Sequence, residues 1–317
     1  MLIKLNYDAL FEIMLTTPKN TLALLVCNTI LLSSCISSDR VEPVLPSGEV
    51  ALKGATRTYD SKLVDFQDGE KIGLYAVAQI NPTTAGMLLP TGNTFDNLEM
   101  TVADGIFKPA GSNSYPTGTT HVALLAYAPY QSGTLGSDKG LSFSVQANQS
   151  DAGKQKKSDL LWSNLPQAAT ASGTPGLTFD HKLSKLTVTL VAGPGVTLNS
   201  PTLTVDGTKP AVRLNMATGT MIGAATGGVV TIIPLAKGGN MYEAIIAPQQ
   251  VNAGTRLFTV TNNAKTYHHN LTAGKTFSPG NDYKYRITVN SRDVEVELTG
   301  TINGWGDGGT TAEDVTE

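Results

Sequence analysis

The side chain with the clearest chemistry is the thiol of Cys35, which ends the motif Leu32-Ser33-Ser34-Cys35 after an apolar run that begins at Thr21. A lipoprotein signal peptidase requires small side chains before the bond that it cuts, so that the extended backbone fits its site. It also requires a cysteine thiol to carry the diacylglycerol, and such a lipid brings fatty acyl chains such as palmitate. The pattern therefore predicts cleavage before Cys35 and lipid attachment to its thiol.

A transmembrane helix and a buried core helix are the alternative interpretations of the apolar run. The run is too short to cross a bilayer, which takes ~20 apolar residues. Lys19 precedes it, and a sequence rich in Ser, Asp and Pro follows Cys35, as at the flanks of a signal peptide. These features favour a lipoprotein signal peptide over residues 1–34. A start at Met14 would give a signal of more ordinary length, so translation of residues 1–13 stays open.

The four histidines do not form a predicted metal site. His121 opens an apolar run, His181 lies near the start of a strand pattern, and the adjacent His268 and His269 would point to opposite faces of a strand. No Gly-x-Ser-x-Gly, Walker or His-Glu-x-x-His motif is present, and the Gly-rich segment 223–228 lacks a following helix that could bind phosphate. We therefore predict no enzyme activity, no cofactor and no bound metal.

Exposed aromatic side chains would indicate carbohydrate binding, and the sequence offers two tryptophans. Trp162 lies in an apolar run, which predicts a packing role. Trp305, between Gly304 and Gly306, is the candidate for ligand contact, although packing against its own domain is the favoured interpretation.

Composition excludes several classes and favours one. The net charge of −3 argues against a dedicated nucleic-acid binder, which concentrates Lys and Arg on one face. Cys27 lies inside the predicted signal peptide, so the mature chain has no pair of cysteines for a disulfide. The 32 Gly and 16 Pro, with abundant Thr and Val, favour short strands joined by turns, and no sustained 3.6-residue periodicity follows Cys35. The predicted class is all-β.

Length predicts two domains, because the chain that remains after removal of residues 1–34 exceeds what one core usually organises. Residues 35–48 include prolines and little that could be buried, which predicts a tether. Pro166–Gly176 has nothing to bury and is the best internal boundary. We expect an N-terminal domain at 49–170 and a C-terminal one at 171–317, with a polar tail from about residue 306.

Four stretches carry the clearest strand patterns. Ile72–Ala76 and His121–Ala128 are apolar at nearly every position, which predicts strands buried on both faces. Residues 283–289 and 294–298 alternate apolar with charged or polar side chains, which predicts antiparallel strands with one solvated face.

Turn signals and one polar stretch separate further strands. Asp68-Gly69, Asp206-Gly207 and the region of Asn263 are expected to be turns. Asn148–Lys157 is expected to be a polar loop whose three lysines are solvated and bind no ligand.

Seven stretches occur in the same order in another group of proteins. They are Phe66–Ala76 (FQDGEKIGLYA), Leu124–Tyr130 (LLAYAPY), the region from Asn148 to the end of SDLLWS at Ser163, Leu177–Leu190 (LTFDHKLSKLTVTL), Tyr242–Gln250 (YEAIIAPQQ), Phe277–Val289 (FSPGNDYKYRITV) and Ile302–Trp305 (INGW). Together they resemble the fimbrillin family of the Bacteroidales, type V pilus proteins that include stalk, anchor and tip subunits. The resemblance covers nearly all of the mature chain.

This resemblance implies two tandem transthyretin-like β-sandwich domains in a lipoprotein of the outer-membrane surface, with other pilus subunits as partners. In that family a trypsin-like protease cuts polymerising subunits after an arginine near the first strand. The strand is shed, and a strand from a neighbouring subunit fills the apolar groove, which is β-strand addition. Arg57 occupies the matching place in this sequence, while Lys53 and Arg40 are weaker candidates.

The donor strand is the point at which this sequence departs from that pattern. The chain continues only briefly after Trp305, so a donated strand would have to come from about Asp293–Ile302, with Val294, Val296 and Leu298 as its apolar side. If that stretch stays in its own domain, the protein accepts a partner strand without donating one, which fits an anchor or tip subunit better than a stalk subunit.

An alternative from a different class is a monomeric surface lipoprotein that binds a host glycan or protein. Retained lipid, no cut at Arg57 and glycan binding that is lost in Trp305→Ala would distinguish it. A surface-anchored hydrolase, the third interpretation, has no group of catalytic residues behind it.

Overall fold

The computed structural model describes residues 50, 52–57, 63–79, 84, 86–170 and 175–303, and the regular structure in them is almost entirely β-strand, as predicted. Within these described residues, one short helix, α1 (Ala152–Lys156), interrupts the strands. The first half of the described chain contains β1 (Lys53–Arg57), β2 (Leu63–Asp65), β3 (Lys71–Gln79), β4 (Phe95–Ala103), β5 (Ile106–Pro109), β6 (His121–Ala128), β7 (Gly140–Ser144), β8 (Leu161–Ala169) and β9 (Gly176–His181).

The second half continues with short strands joined by turns. They are β10 (Ser184–Ala192), β11 (Thr202–Thr208), β12 (Ala211–Asn215), β13 (Thr220–Met221), β14 (Val230–Ile232), β15 (Leu235–Gly238), β16 (Met241–Ile246), β17 (Gln249–Val251), β18 (Arg256–Asn262), β19 (Lys265–Asn270), β20 (Lys275–Phe277), β21 (Asn281–Val289) and β22 (Val294–Asn303). The β18–β19 hairpin turns at Asn263, as predicted, where Asn263 and Ala264 both have positive φ.

Hydrogen bonding joins these strands into three larger sheets. The first has eight strands in the order β2-β1-β9-β8-β6-β3-β4-β5, the second has five in the order β15-β16-β10-β21-β22, and the third has four in the order β14-β11-β18-β19. A three-stranded sheet, β13-β12-β7, combines strands from both halves of the chain, and β17 pairs with β20. Most neighbours are antiparallel, whereas β1 runs parallel to β9 and β10 runs parallel to β21.

The central strands β3 and β6 are buried on both faces, which confirms the prediction from their nearly continuous apolar sequence. Successive side chains of a strand point to opposite faces, so each strand contributes to two cores. Ile72 and Leu74 of β3 face one core, while Tyr75 and Val77 face the other.

The two cores differ in their composition. We call the smaller one the first-strand core, because residues that precede and follow β1 and β2 lie in it; it includes Val50, Leu52, Phe66, Ile72, Leu74, Met100, Val102, Phe107, Leu124, Leu177 and Phe179. The larger one, the main core, joins the other faces of β3 and β6 to β7, β12 and the sheets of the second half. It therefore draws residues from both halves, and the division at residue 170 stays a prediction.

The expectation that Pro166–Gly176 has nothing to bury was wrong for its first residues. β8 runs through Pro166 to Ala169, and Ala168 is buried. The register between β6 and β8 shifts between Val122 and Leu124, so an irregularity in the ladder accommodates the proline, which cannot donate a ladder hydrogen bond. Residues 171–174 lie outside the described part of the chain.

Two further local predictions need correction. Within the expected loop Asn148–Lys157, α1 forms because the Asp151 carboxylate caps it and accepts a hydrogen bond from the backbone N–H of Lys154 at 2.9 Å. Asp206-Gly207 is not a turn, because β11 continues to Thr208 with a bulge opposite β14. Gly207 is required there, since its φ is +72° and a Cβ would lie 2.5 Å from the carbonyl oxygen of Arg256.

Candidate functional site

The segment before β1 is inserted into the first-strand core. Val50 and Leu52 are 1% and 0% exposed. The N–H of Leu52 donates to the carbonyl of Phe107 at 3.0 Å, and the N–H of Phe107 donates back to Leu52 at 2.6 Å. The N–H of Val50 donates to the carbonyl of Asn113 at 3.1 Å. The chain thus enters the fold beside β5, where Leu52 forms an isolated antiparallel bridge with Phe107.

After Leu52 the chain leaves β5, and β1 lies between β9 and β2. Lys53 to Thr56 lie opposite Gly176 to Phe179 in the parallel pairing with β9. Arg57 is the last residue of β1 and lies opposite Leu63 in the antiparallel pairing with β2. The predicted processing site is therefore at the end of the strand that occupies this position, and the weaker candidate Lys53 is at its beginning.

Three phenylalanine rings line the core that receives this segment. The ring of Phe66 lies 4.9 Å from that of Phe107 and 5.0 Å from that of Phe179, and both pairs have edge-to-face geometry. Burial of Val50 and Leu52 among such side chains stabilises the fold by about 1.5–3 kcal/mol for each. Loss of the first segment would expose this apolar lining to water.

The donor-strand candidates lie in β22, at the edge of the five-stranded sheet. β22 pairs with β21 from Val294 opposite Val289 to Asn303 opposite Asn281. The side chains of Val294, Val296 and Leu298 are half-buried and pack against the main core. Within the described part of the chain, no strand pairs with the outer edge of β22.

Trp162 has the packing role that its sequence context predicts. Its indole N–H donates to the carbonyl of Met216 at 3.0 Å, and the ammonium of Lys182 lies 4.6 Å from its ring centroid. Gly219 covers the ring so closely that a Cβ would lie 2.6 Å from Cε3. This tryptophan is not a free platform for a sugar. Cys35, Arg40 and Trp305 lie outside the described residues.

Each histidine has a local partner in the described chain. Nδ1 of His181 lies 2.8 Å from a carboxylate oxygen of Asp159, and Nδ1 of His121 lies 3.2 Å from the hydroxyl of Thr120. His268 is exposed while its neighbour His269 is half-buried against Phe258, so the two lie on opposite faces as predicted. Burial lowers the pKa of His269.

Two of the three lysines around α1 form ion pairs at the surface. Lys154 contacts Asp151 at 2.7 Å, and Lys156 pairs with Glu70. Across the residues that the structure covers, no three His, Cys, Asp or Glu side chains are grouped to bind a metal ion. None of the helices described is long and apolar enough to cross a lipid bilayer.

Comparison with solved structures defines the class to which this fold belongs. A candidate cell adhesion protein from Bacteroides ovatus matches with a TM-score of 0.62 at 18% identity, over 85% of this chain and 100% of that one. A second one, from Bacteroides uniformis, matches with a TM-score of 0.62 at 23% identity, over 83% of this chain and 100% of that one. This chain therefore shares its fold with these two Bacteroides proteins.

The chain belongs to the fimbrillin-like family, whose profile matches residues 56–305. This membership confirms the resemblance found in the sequence and supports a role in a pilus or in adhesion at the cell surface. No protein with a curated function matches the chain.

Proposed function

We propose that this protein is a structural subunit of a cell-surface pilus that supports adhesion and accepts a β-strand from a neighbouring subunit in place of its own first strand. Export as a lipoprotein would place it on the outer membrane through lipid on Cys35. Cleavage after Arg57 would then release the segment that ends with β1. The observation that carries the proposal is the complete burial of Leu52 in a core separate from the main core.

The first segment is well suited to replacement by another strand. Its backbone hydrogen bonds to Phe107 and Asn113 are of the kind that any extended peptide can form. Its apolar side chains fill positions lined by Phe66 and Phe179, so an incoming strand with apolar residues at alternate positions would restore the same contacts. Release without replacement would leave unpaired strand edges at β9 and β5.

The position of β22 bears on the place of this subunit in the pilus. Donation of Val294, Val296 and Leu298 would require β22 to leave β21, with which it pairs along its length. This requirement favours the alternative in which the protein accepts a strand but donates none, as an anchor or tip subunit would. In that arrangement β22 remains a strand of its own sheet.

The test is to shear surface material from cells that express the full chain and to run it on denaturing gels after mild heating and after boiling. N-terminal sequencing of each band identifies the cut. A heat-sensitive ladder whose bands begin at Thr58 supports strand exchange in a polymer. Arg57→Gln should abolish the cut, while the matched Lys53→Gln variant should leave it intact.

Monomer that still begins at the acylated Cys35 and forms no heat-sensitive complex with any other subunit would contradict strand acceptance. The lipid is tested separately, by incorporation of labelled palmitate into the wild-type chain and into Cys35→Ala. Equal incorporation in both, or membrane retention of Cys35→Ala, would overturn the anchoring proposal without bearing on strand exchange.

A further inference from the structure

A lysine, an aspartate and a glutamate meet on the outward face of the five-stranded sheet. Lys185 of β10 and Asp282 of β21 are direct partners in the parallel pairing. The ammonium nitrogen Nζ of Lys185 lies 3.3 Å from Oδ2 of Asp282 and 3.8 Å from Oε1 of Glu243, which projects from β16 on the other side of β10. The amine is thus held between two carboxyl groups by three adjacent strands.

The environment of this cluster differs from that of a surface ion pair. The side chain of Asp282 is 4% exposed, and those of Lys185 and Glu243 are each 18% exposed. The hydroxyl of Thr187 lies 2.9 and 3.1 Å from the two carboxyl oxygens of Asp282, which fixes the orientation of that group. Burial raises the pKa of Asp282, although the charge of Lys185 opposes the shift. A protonated carboxyl group is a better electrophile than a carboxylate.

We propose that Lys185 and Asp282 become joined by an intramolecular isopeptide bond, with Glu243 transferring the proton. A proton first passes from Nζ of Lys185 to the carboxylate of Asp282, so that the ion pair becomes an amine beside a carboxylic acid. The Nζ lone pair then attacks Cγ of Asp282, and Glu243 accepts a proton from Nζ. Glu243 then returns that proton to the departing hydroxyl, so that the bond from Cγ to oxygen breaks and one water molecule leaves. The Nζ–Cγ amide bond is the only new bond within the protein, and no oxidant or activated co-reactant is consumed.

The geometry meets the requirements of such a reaction. The two reacting groups are fixed by neighbouring strands, and Nζ of Lys185 lies 3.3 Å from Oδ2 of Asp282, one bond from the carbon Cγ that it would attack. Holding two groups in such proximity is what accelerates a reaction between them. The bond would tie β10 to β21 as a covalent cross-link between strands that are distant in sequence. It does not depend on strand exchange at β1, so its test and the test of the pilus role fail independently.

The decisive measurement is mass spectrometry of the purified full-length chain. We expect an intact mass lower than that of the sequence by one water molecule. We also expect a branched tryptic peptide in which residues 183–213 are joined to residues 276–284, because trypsin does not cut after an acylated Lys185. An intact mass without water loss, together with peptides that end at Lys185, would show an ion pair only and would overturn the proposal.

Variants separate the roles of the three residues. Lys185→Arg should eliminate the branched peptide and lower Tm by roughly 10 °C, as expected for loss of a cross-link that closes a long loop. Asp282→Asn should form the same amide with release of ammonia, so its cross-linked mass should equal that of the cross-linked wild type. An Asp282→Asn chain that stays uncross-linked under conditions in which the wild type reacts completely would contradict the acyl-transfer mechanism.

The role of Glu243 is tested by comparing a Glu243 variant with a variant of the neighbouring Lys237. Glu243→Gln should slow bond formation at least tenfold, measured as the growth of the branched peptide after refolding. Lys237 projects from the exposed strand β15, and its Nζ lies 3.6 Å from the other carboxylate oxygen of Glu243. Lys237→Gln should therefore form the bond at the wild-type rate. Equal rates in Glu243→Gln and Lys237→Gln would remove Glu243 from the mechanism.

Discussion

Gly73 of β3 lies directly beneath the aromatic ring of Tyr127 on β6. The two residues are cross-strand partners, and a Cβ on Gly73 would overlap Cε1 of Tyr127 and Oδ1 of Asn97. The hydroxyl of Tyr127 lies 2.8 Å from Oδ1 of Asn97 and 2.8 Å from the carbonyl oxygen of Gln131. Burial raises the pKa of Tyr127 to about 12, so the ring stays neutral as it packs in the main core.

Gly73→Ala is therefore expected to destabilise the fold. The added methyl group must displace a buried ring, and overpacking of this kind lowers the free energy of unfolding by about 1–3 kcal/mol. Urea denaturation followed by circular dichroism measures the change. Gly176→Ala is the matched control, because Gly176 also lies in a strand but has no atom within 4 Å of its Cβ position. Equal stability of the two variants would show that the Tyr127 ring moves without cost.

The sequence was informative about strands whose burial pattern is local. The nearly continuous apolar runs of β3 and β6 predicted strands buried on both faces, and the alternation in β21 and β22 predicted strands with one solvated face. Each of these patterns depends on side chains within a few residues of one another, so no knowledge of the partner strand was needed.

Features that depend on distant partners were not visible in the sequence. Nothing in the sequence distinguishes Gly73 from other strand glycines, because the ring of Tyr127 that packs against it is distant in the chain. Pro166 looked like a boundary signal, but an irregular register opposite Val122 and Leu124 lets β8 continue through it. For the candidate site, the sequence located Arg57 near the first strand, whereas the insertion of Leu52 beside Phe107 required the fold.

Loss of the hydroxyl should affect the free energy of unfolding differently at Tyr75 of β3 and at Tyr127 of β6. Tyr75 is 1% exposed, and its hydroxyl has no hydrogen-bond partner in the described structure. Tyr75→Phe is expected to leave the free energy of unfolding unchanged or to raise it by up to about 1 kcal/mol, because an unsatisfied buried group is removed. Tyr127→Phe loses its bonds to Asn97 and Gln131 and should cost about 0.5–1.5 kcal/mol. Denaturation of the two variants side by side checks the prediction, which fails if Tyr75→Phe is the less stable one.

The ion pair between Arg213 and Asp138 predicts a specific dependence on pH. Nη2 of Arg213 donates to Oδ1 of Asp138 at 2.6 Å, and this bond holds the pKa of that carboxyl below its ordinary value of 3.8. Because the folded-state pKa is lowered, the stabilisation is present above the ordinary value and is lost as the pH falls through the folded-state pKa. Arg213→Gln should raise the pKa of Asp138 toward 3.8, measured by NMR titration of the carboxyl carbon.

Asp151 provides the control for that titration in the same sample. Its pKa is lowered by Lys154, which does not contact Arg213, so Arg213→Gln should leave the titration of Asp151 unchanged. A shift in both carboxyl groups would indicate a general change in structure, and no shift in Asp138 would contradict the role of Arg213.

Leu52→Ala tests how firmly the first segment is held. Removal of a fully buried leucine side chain leaves a cavity in the first-strand core and typically lowers the free energy of unfolding by about 2–5 kcal/mol. Leu89, which is 40% exposed, is the control, since Leu89→Ala should change stability by no more than about 0.5 kcal/mol. Urea denaturation of the two variants gives the comparison.

The same pair of variants connects the packing of the first strand to its proposed release. Cutting of a folded chain tracks the population of the open form when opening and closing are fast relative to cleavage. Because Leu52→Ala weakens the packing of the first segment, trypsin should cut this variant after Arg57 faster than it cuts the wild type. Leu89→Ala should be cut at the wild-type rate. N-terminal sequencing confirms that the new chain begins at Thr58. If Leu52→Ala destabilises the protein but leaves this rate unchanged, Arg57 is reached without release of the segment, and the burial of Leu52 does not control processing.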